Sequence, residues 1–266
     1  MTLLHLLLLA VVQGVTEFLP ISSSGHLILI PALTGASDQG QAIDVAVHVG
    51  TLGAVILYFW ADVRDAAIGL PRALTGRMDT PGAKLAFLLI ISTIPVVLFG
   101  LILKATGLDE LLRSATVIAA TMIGFGLLLY WADQRKGGLK EDREWTVRDA
   151  LIMGLWQAVA LIPGTSRSGI TITSALMLGY TRRDAAKLSM LMSIPTIIAS
   201  ALYLAAEVVA THEASFRDMG IAALFAFLSA LVALTLMMRL LRSVSYTPYV
   251  IYRLVLGVAL LVWVYA

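Results

Sequence analysis

The stretch GVTEFLPISSSGHLILI, residues 14–30, decides how this chain is read. Apolar residues flank it on both sides. Yet it carries a carboxylate (Glu17), a helix breaker (Pro20), three serines in a row (Ser22, Ser23, Ser24), a glycine and a histidine (His26). The whole chain has 266 residues, 59% hydrophobic and only 14% charged, against roughly 25% charged in soluble domains. Its hydrophobic residues come in long blocks, which indicates a polytopic helical membrane protein. Alternating strands of the outer-membrane type are missing, which excludes a β-barrel. The absence of cysteine excludes disulfides, a thiol nucleophile and a thiolate metal site. A net charge of +2 gives no sign of nucleic-acid binding. The apolar N-terminus lacks the basic start and small-residue cleavage site of a signal peptide, so it is expected to belong to the mature protein.

Working outward, six blocks are long enough to span a bilayer: about 43–60, 84–104, 114–132, 187–209, 219–241 and 246–265. Two further apolar regions do not fit as simple spans. Region 1–34 is broken at LPISSSG, and region 147–180 at IPGTSRSG. Gln13 and Gly25 stand twelve apart, as do Gln157 and Gly169; at the same offset Ser22 matches Ser166 and Ser24 matches Ser168. Later in each half come similar segments, LIISTIPVV (89–97) and MLMSIPTII (190–198). These parallels predict a duplication within a single membrane domain covering 1–266, its first repeat about 1–104 and its second about 147–241.

Loop charge orients the chain. Loops 61–83, 133–186 and 242–245 hold or adjoin fourteen of the 19 Lys and Arg, whereas the other side has Lys104, Arg113 and Arg217. The rich side is expected to be cytoplasmic, with both termini outside. The first broken region then enters from outside and the second from the cytoplasm. The expected fold is an all-α integral membrane protein with six transmembrane helices plus two re-entrant helix pairs in an inverted-topology repeat, the tips meeting near the midplane. Non-helical backbone at that depth is tolerated only inside protein or beside a water-filled cavity. The serines are therefore expected to line a cavity. Small residues and glycines can aim backbone N–H groups inward, and two helix N-termini add their dipoles, so both breaks suit an anion rich in oxygens.

Arg167 lies at the second break between Ser166 and Ser168. An Arg near the bilayer centre costs roughly 2.5–3.5 kcal/mol, and its planar fork matches phosphate oxygens; the other reading makes it a partner for Glu17 or an interfacial snorkel. Glu17 is expected to hold Mg²⁺ or Ca²⁺ or to act as a base, since Mg²⁺ commonly takes one or two carboxylates plus substrate phosphate. Burial as a neutral acid is the alternative. Gln13 shares its helix face. His26, with a near-neutral pKa, suits a general acid or base. Any of Ser22, Ser23 and Ser24 qualifies as a nucleophile, given a base. His48, near Asp44, is placed to face the cavity, while His5 and His212 read as interfacial. Tyr252 and Arg253 form a further polar pair within reach. Walker A and cysteine phosphatase motifs are missing. SSGH resembles part of the type-2 phosphatidic-acid phosphatase motif, but no His follows Arg167 before His212, which excludes that family.

QGVTEFLPISSSGH (13–26) together with PGTSRSG (163–169) resembles the bacterial undecaprenyl-diphosphate phosphatases, also called bacitracin-resistance proteins. The likeness continues through DVAVHVGTLGAVILYFW (44–60), SIP (193–195) and YTPYVIYR (246–253), and so covers nearly the whole chain. It implies an enzyme of the inner membrane that hydrolyses undecaprenyl diphosphate to undecaprenyl phosphate and inorganic phosphate, recycling the carrier lipid for cell-wall synthesis, and that requires a divalent cation. It places the functional positions on Gln13, Glu17, Ser22, Ser23, Ser24 and His26 in the first motif and on Ser166, Arg167 and Ser168 in the second; Thr165, Gly169 and Arg253 are added as substrate contacts. Many members carry Glu where this chain has Gln13, so the essential acid and metal ligand is expected to be Glu17. The expected partners are the lipid substrate and membrane lipid, reached through an outward-facing cavity, and a homodimer is left open. A lipid-phosphate transporter, with or without hydrolysis, is the rival from another class, because broken helices and inverted repeats also build carriers.

Overall fold

The computed structural model describes residues 2–34, 40–108, 112, 114–135, 138–211 and 215–266. Eleven α-helices lie within these: α1 Leu3–Phe18, α2 Ser23–Thr34, α3 Gln41–Tyr58, α4 Trp60–Leu74, α5 Pro81–Thr106, α6 Ala115–Gln134, α7 Val147–Val159, α8 Arg167–Met177, α9 Arg182–Thr211, α10 Phe216–Leu240 and α11 Thr247–Tyr265. Among the described residues, β-pairing is confined to a single bridge between Lys140 and Tyr180. Six helices are long and apolar enough to cross a membrane: α3, α5, α6, α9, α10 and α11. The chain is thus an all-helical, multi-pass membrane protein. At 1.5 Å per residue, a hydrocarbon core of about 30 Å needs some 20 residues. With 16, 12, 13 and 11 residues, α1, α2, α7 and α8 are each too short to cross it. They pack as two pairs, α1 on α2 and α7 on α8.

Local chemistry sets the ends of these helices. Thr2 caps α1 by accepting the His5 N–H at 3.3 Å. Leu19, before Pro20, is extended (φ −70°, ψ 142°), as the proline ring requires of its predecessor, and α1 stops there. Thr80, Ser114, Thr146 and Ser215 cap α5, α6, α7 and α10 in the same way.

Small residues bring the helices close. A methyl group added at Gly14 of α1 would lie 2.6 Å from the Ala226 carbonyl, and one at Gly50 of α3 would lie 2.2 Å from that of Ala223. Helices α1 and α3 therefore pack directly on the α10 backbone, around Leu6, Ala10, Val47, Ala222 and Ala226. On the other flank α2 rests on α6 and α11 through Leu29, Ile118, Met122 and Leu260.

The three charge-rich loops share one face. Lys187 bonds Asp62 at 2.7 Å and Asp142 at 2.8 Å. Asp133 takes Arg182 at 2.5 Å and the Tyr246 backbone N–H at 3.0 Å. On that face Tyr180 donates to Asp149 at 2.7 Å; burial, and then this bond, pushes its phenol above the ordinary range.

Two boundaries differ from the sequence reading. Residues 61–83, expected as loop, are largely occupied by α4, which begins at Trp60 and whose buried side is Ala66, Gly69 and Ala73; side chains this small give little hydropathy signal. Helix α9 starts at Arg182 rather than near 187, because Thr181 accepts the Asp184 N–H at 3.1 Å and caps a charged first turn. Arg113 and His212 lie outside the described residues.

Candidate active site

The two breaks share a left-handed serine turn before the second helix. Ser22 (φ 74°) and Ser166 (φ 71°) are the only non-glycine residues of positive φ among those described. Left-handed backbone costs a side-chain-bearing residue about 1–2 kcal/mol, and each serine offsets part of it as a cap. Ser22 Oγ accepts the Gly25 N–H at 3.3 Å and Ser166 Oγ that of Gly169 at 3.1 Å. Each hydroxyl also meets its next-but-one neighbour, Ser24 at 3.4 Å and Ser168 at 3.2 Å. Helices α2 and α8 thus start at Ser23 and Arg167, each two residues before a glycine.

The tips of the breaks touch. Ser168 Oγ donates to the Leu19 carbonyl at 3.0 Å. Arg253, fully buried in α11, donates to Pro20 O at 3.2 Å in the first break and to Gly164 O at 3.1 Å in the second, and also to Met122 O and Thr121 O of α6 at 3.1 and 3.2 Å. Gly169 makes room for it: a Cβ there would stand 2.9 Å from Arg253 Nη1. Arg253 and Gly169, expected as substrate contacts, are therefore engaged in holding the tips together. Thr165 is buried, its hydroxyl without a partner among the described residues.

Glu17 is where the two halves exchange charge. Its Oε1 accepts Arg167 Nη2 at 2.7 Å. Its Oε2 accepts Gln13 Nε2 at 2.8 Å and the Ser23 hydroxyl at 2.7 Å, and His48 Nε2 stands 4.0 Å away. The ion pair that the sequence left as an alternative thus forms, with both side chains largely buried. Arg167 is steadied from behind by the Ser189 carbonyl at 3.3 Å. Ser189 was not singled out from sequence; a backbone carbonyl leaves no signature there.

His26 turns away from the serine hydroxyls. Its Nδ1–H donates to the Ser22 carbonyl at 2.6 Å, which leaves Nε2 to accept the Tyr252 hydroxyl at 2.5 Å. The rings lie within 10° of parallel. The side chain bonded to a serine hydroxyl is Glu17, at Ser23, whereas the bonds of His26 go to the Ser22 carbonyl and to Tyr252. Tyr252, only a weak candidate in the sequence, is a direct partner of the site. Ser24 is exposed at its rim.

Among the described residues no three His, Cys, Asp or Glu side chains cluster as a metal site. A single carboxylate still suits Mg²⁺, which keeps several waters and shares substrate oxygens. The buried Gln13 Oε1 beside it has no hydrogen-bond partner among the described residues and adds an oxygen of the right kind.

The chain is similar over its whole length to proteins of one kind. The undecaprenyl-diphosphatase of Ruegeria pomeroyi is 70% identical over 262 residues, 98% of each chain. The undecaprenyl-diphosphatase of Jannaschia sp. is 69% identical over the full length of both chains, and that of Hahella chejuensis is 49% identical over 100% of this chain and 99% of its own. The model of the bacitracin resistance protein BacA family matches residues 6–259, so this chain belongs to that family.

Proposed function

We propose that this protein hydrolyses undecaprenyl diphosphate to undecaprenyl phosphate and inorganic phosphate, which recycles the carrier lipid for cell-wall synthesis and confers bacitracin resistance. The observation that carries this reading is the Glu17 carboxylate, joined at once to Arg167 of the other break and to the Ser23 hydroxyl at the start of α2. An acid, a hydroxyl and a guanidinium beside two helix N-termini form a site for attack on an anion.

In this reading the diphosphate head lies across the starts of α2 and α8, where backbone N–H groups and helix dipoles favour anions, and Arg167 neutralises its oxygens. Ser23 Oγ attacks the terminal phosphorus as its proton passes to Glu17 Oε2. The bridging P–O bond breaks and undecaprenyl phosphate leaves. Glu17 passes that proton to the departing lipid phosphate and is again a carboxylate. Water then attacks the phosphoserine and gives a proton to Glu17, which returns it to Ser23 Oγ as the Oγ–P bond breaks and inorganic phosphate is freed. Glu17, with Gln13 behind it, would hold a divalent cation, which supplies charge neutralisation for the phosphates when bound. The Tyr252 contact holds His26 against the Ser22 carbonyl, so that the left-handed turn keeps its shape.

The α1–α2 and α7–α8 pairs are read as re-entrant, entering from opposite faces as an inverted repeat. The face with Lys187, Arg182 and Lys140 is the cytoplasmic one, in a bacterial inner membrane, and the catalytic cavity opens outward. The test is phosphate release from undecaprenyl diphosphate by the purified protein in detergent, where no sealed membrane exists. Release abolished by Glu17→Gln is expected; no release, alongside movement of lipid phosphate across reconstituted vesicles, would make the protein a carrier.

A further inference from the structure

The charge-rich face holds a cavity that the proposed reaction does not use. It encloses about 480 Å³ where the ends of α6, α8 and α10 meet the start of α9, within the range of small-ligand sites. Arg135, Arg182, Arg183 and Arg242 line it, with Asp133 as the one acid among the described lining residues. Arg182 already neutralises that acid, Nε to Oδ1 at 2.5 Å. The other three guanidiniums have no carboxylate partner among the described residues. Leu176 here and Arg167 at the candidate active site stand at opposite ends of α8, about 13 Å apart at 1.5 Å per residue.

A general excess of positive charge on this face does not account for the cluster. The adjoining cavity, which shares Arg183, is lined by Asp62, Glu141, Asp142 and Asp184 against Arg183 and Lys187, so the two hollows have opposite balances. Three uncompensated guanidiniums around one hollow suit an anion with several oxygens. The first turn of α9, Arg182 and Arg183, lines the same cavity; N–H groups that no helix satisfies internally, and the positive end of its dipole, therefore stand beside it. Depth shows what the anion is attached to. Tyr130 and Trp131, on the last turns of α6, are exposed, as aromatic side chains are at a membrane–water boundary. The Arg135 guanidinium lies 4.3 Å over the Trp131 ring. Leu240 at the end of α10 is exposed next to the lining Leu241 and Arg242. Cationic groups at headgroup level thus adjoin apolar side chains that can take acyl chains.

We infer that this cavity binds the phosphate of an anionic phospholipid, held by Arg135, Arg183 and Arg242, with the acyl chains along Trp131 and Leu240. Basic pockets between membrane helices bind anionic headgroups in this way. The site is separate from Glu17 and Arg167 and stands or falls independently of the phosphatase reading.

The purified full-length protein in detergent is titrated with phosphatidylglycerol, phosphatidylcholine or glycerol 3-phosphate, and bound molecules are counted by native mass spectrometry. The expected result is one phosphatidylglycerol held per chain, at about a tenth of the concentration that zwitterionic phosphatidylcholine needs, and not displaced by glycerol 3-phosphate in about hundredfold excess. At about fivefold for each basic residue near a membrane surface, Arg135→Gln combined with Arg242→Gln should weaken phosphatidylglycerol binding about twenty-five-fold and leave phosphatidylcholine unchanged. Should that pair fail to fold, Arg183→Gln alone is expected to cost about fivefold. Arg77→Gln combined with Arg148→Gln removes the same charge from exposed positions that do not line the cavity and should change binding by less than twofold. Equal losses in the two double variants would reduce the site to diffuse surface charge. No preference over phosphatidylcholine would overturn it outright. Displacement by an equal concentration of glycerol 3-phosphate would overturn the lipid and make the ligand a soluble phosphate.

Discussion

The first and second breaks share a left-handed serine turn and differ in the charged side chains they carry. Ser22 and Ser166 adopt the same left-handed turn, cap the same kind of helix and face a serine two residues on. At the offset that aligns them, however, Glu17 and His26 of the first break correspond to Leu161 and Ile170, and Arg167 of the second corresponds to Ser23. The first break therefore brings the acid and the hydroxyl, and the second brings the cation. Neither is a site alone. The turn starts and caps a helix at each break; the charged side chains need to appear only once.

This contrast breaks or sharpens under substitution. The largest effect is expected from Glu17→Gln, which should lower phosphate release by about a thousandfold, while Leu161→Met at the matching place stays within about twofold; comparable losses at both would make the acid a packing residue. Next comes Arg253→Met, which strands the Pro20 and Gly164 carbonyls at the breaks, while those of Thr121 and Met122 keep their helical bonds. At about 1 kcal/mol or more for each unsatisfied group, thermal unfolding should shift down by several degrees, with Arg253→Lys partly restoring it; an unchanged transition would mean that the tips are held by other contacts. Tyr252→Phe removes the hydroxyl on His26 Nε2 and should cost about tenfold in kcat, a typical share for one polar contact at a reacting site, with KM little changed. The smallest effects are those of the caps. Ser22→Ala and Ser166→Ala should each cost about 1 kcal/mol of stability; a much larger loss at one would show that the turns are not equivalent.

Much of this was legible in the sequence, for a physical reason. A carboxylate and a guanidinium inside apolar flanks are too costly to be incidental, so Glu17 and Arg167 announce themselves, and Pro20 and Pro163 mark where the helices stop. The unreadable parts depend on backbone and distance. The carbonyl partners of Arg253 have no residue identity, so its place between the two tips could not be read from the sequence. Tyr252 meets His26 across 226 positions, a contact that only the fold reveals. Helix α4 was missed because it buries Ala66, Gly69 and Ala73 rather than larger apolar side chains.

The central claim is that acid and guanidinium from different breaks act as one unit. A double-mutant cycle with Glu17→Gln and Arg167→Gln, read as phosphate release from undecaprenyl diphosphate, measures that unit directly. Strongly non-additive losses, the double variant being scarcely slower than the worse single one, are the predicted result. Losses that multiply would mean that the two residues act independently, and would contradict the account.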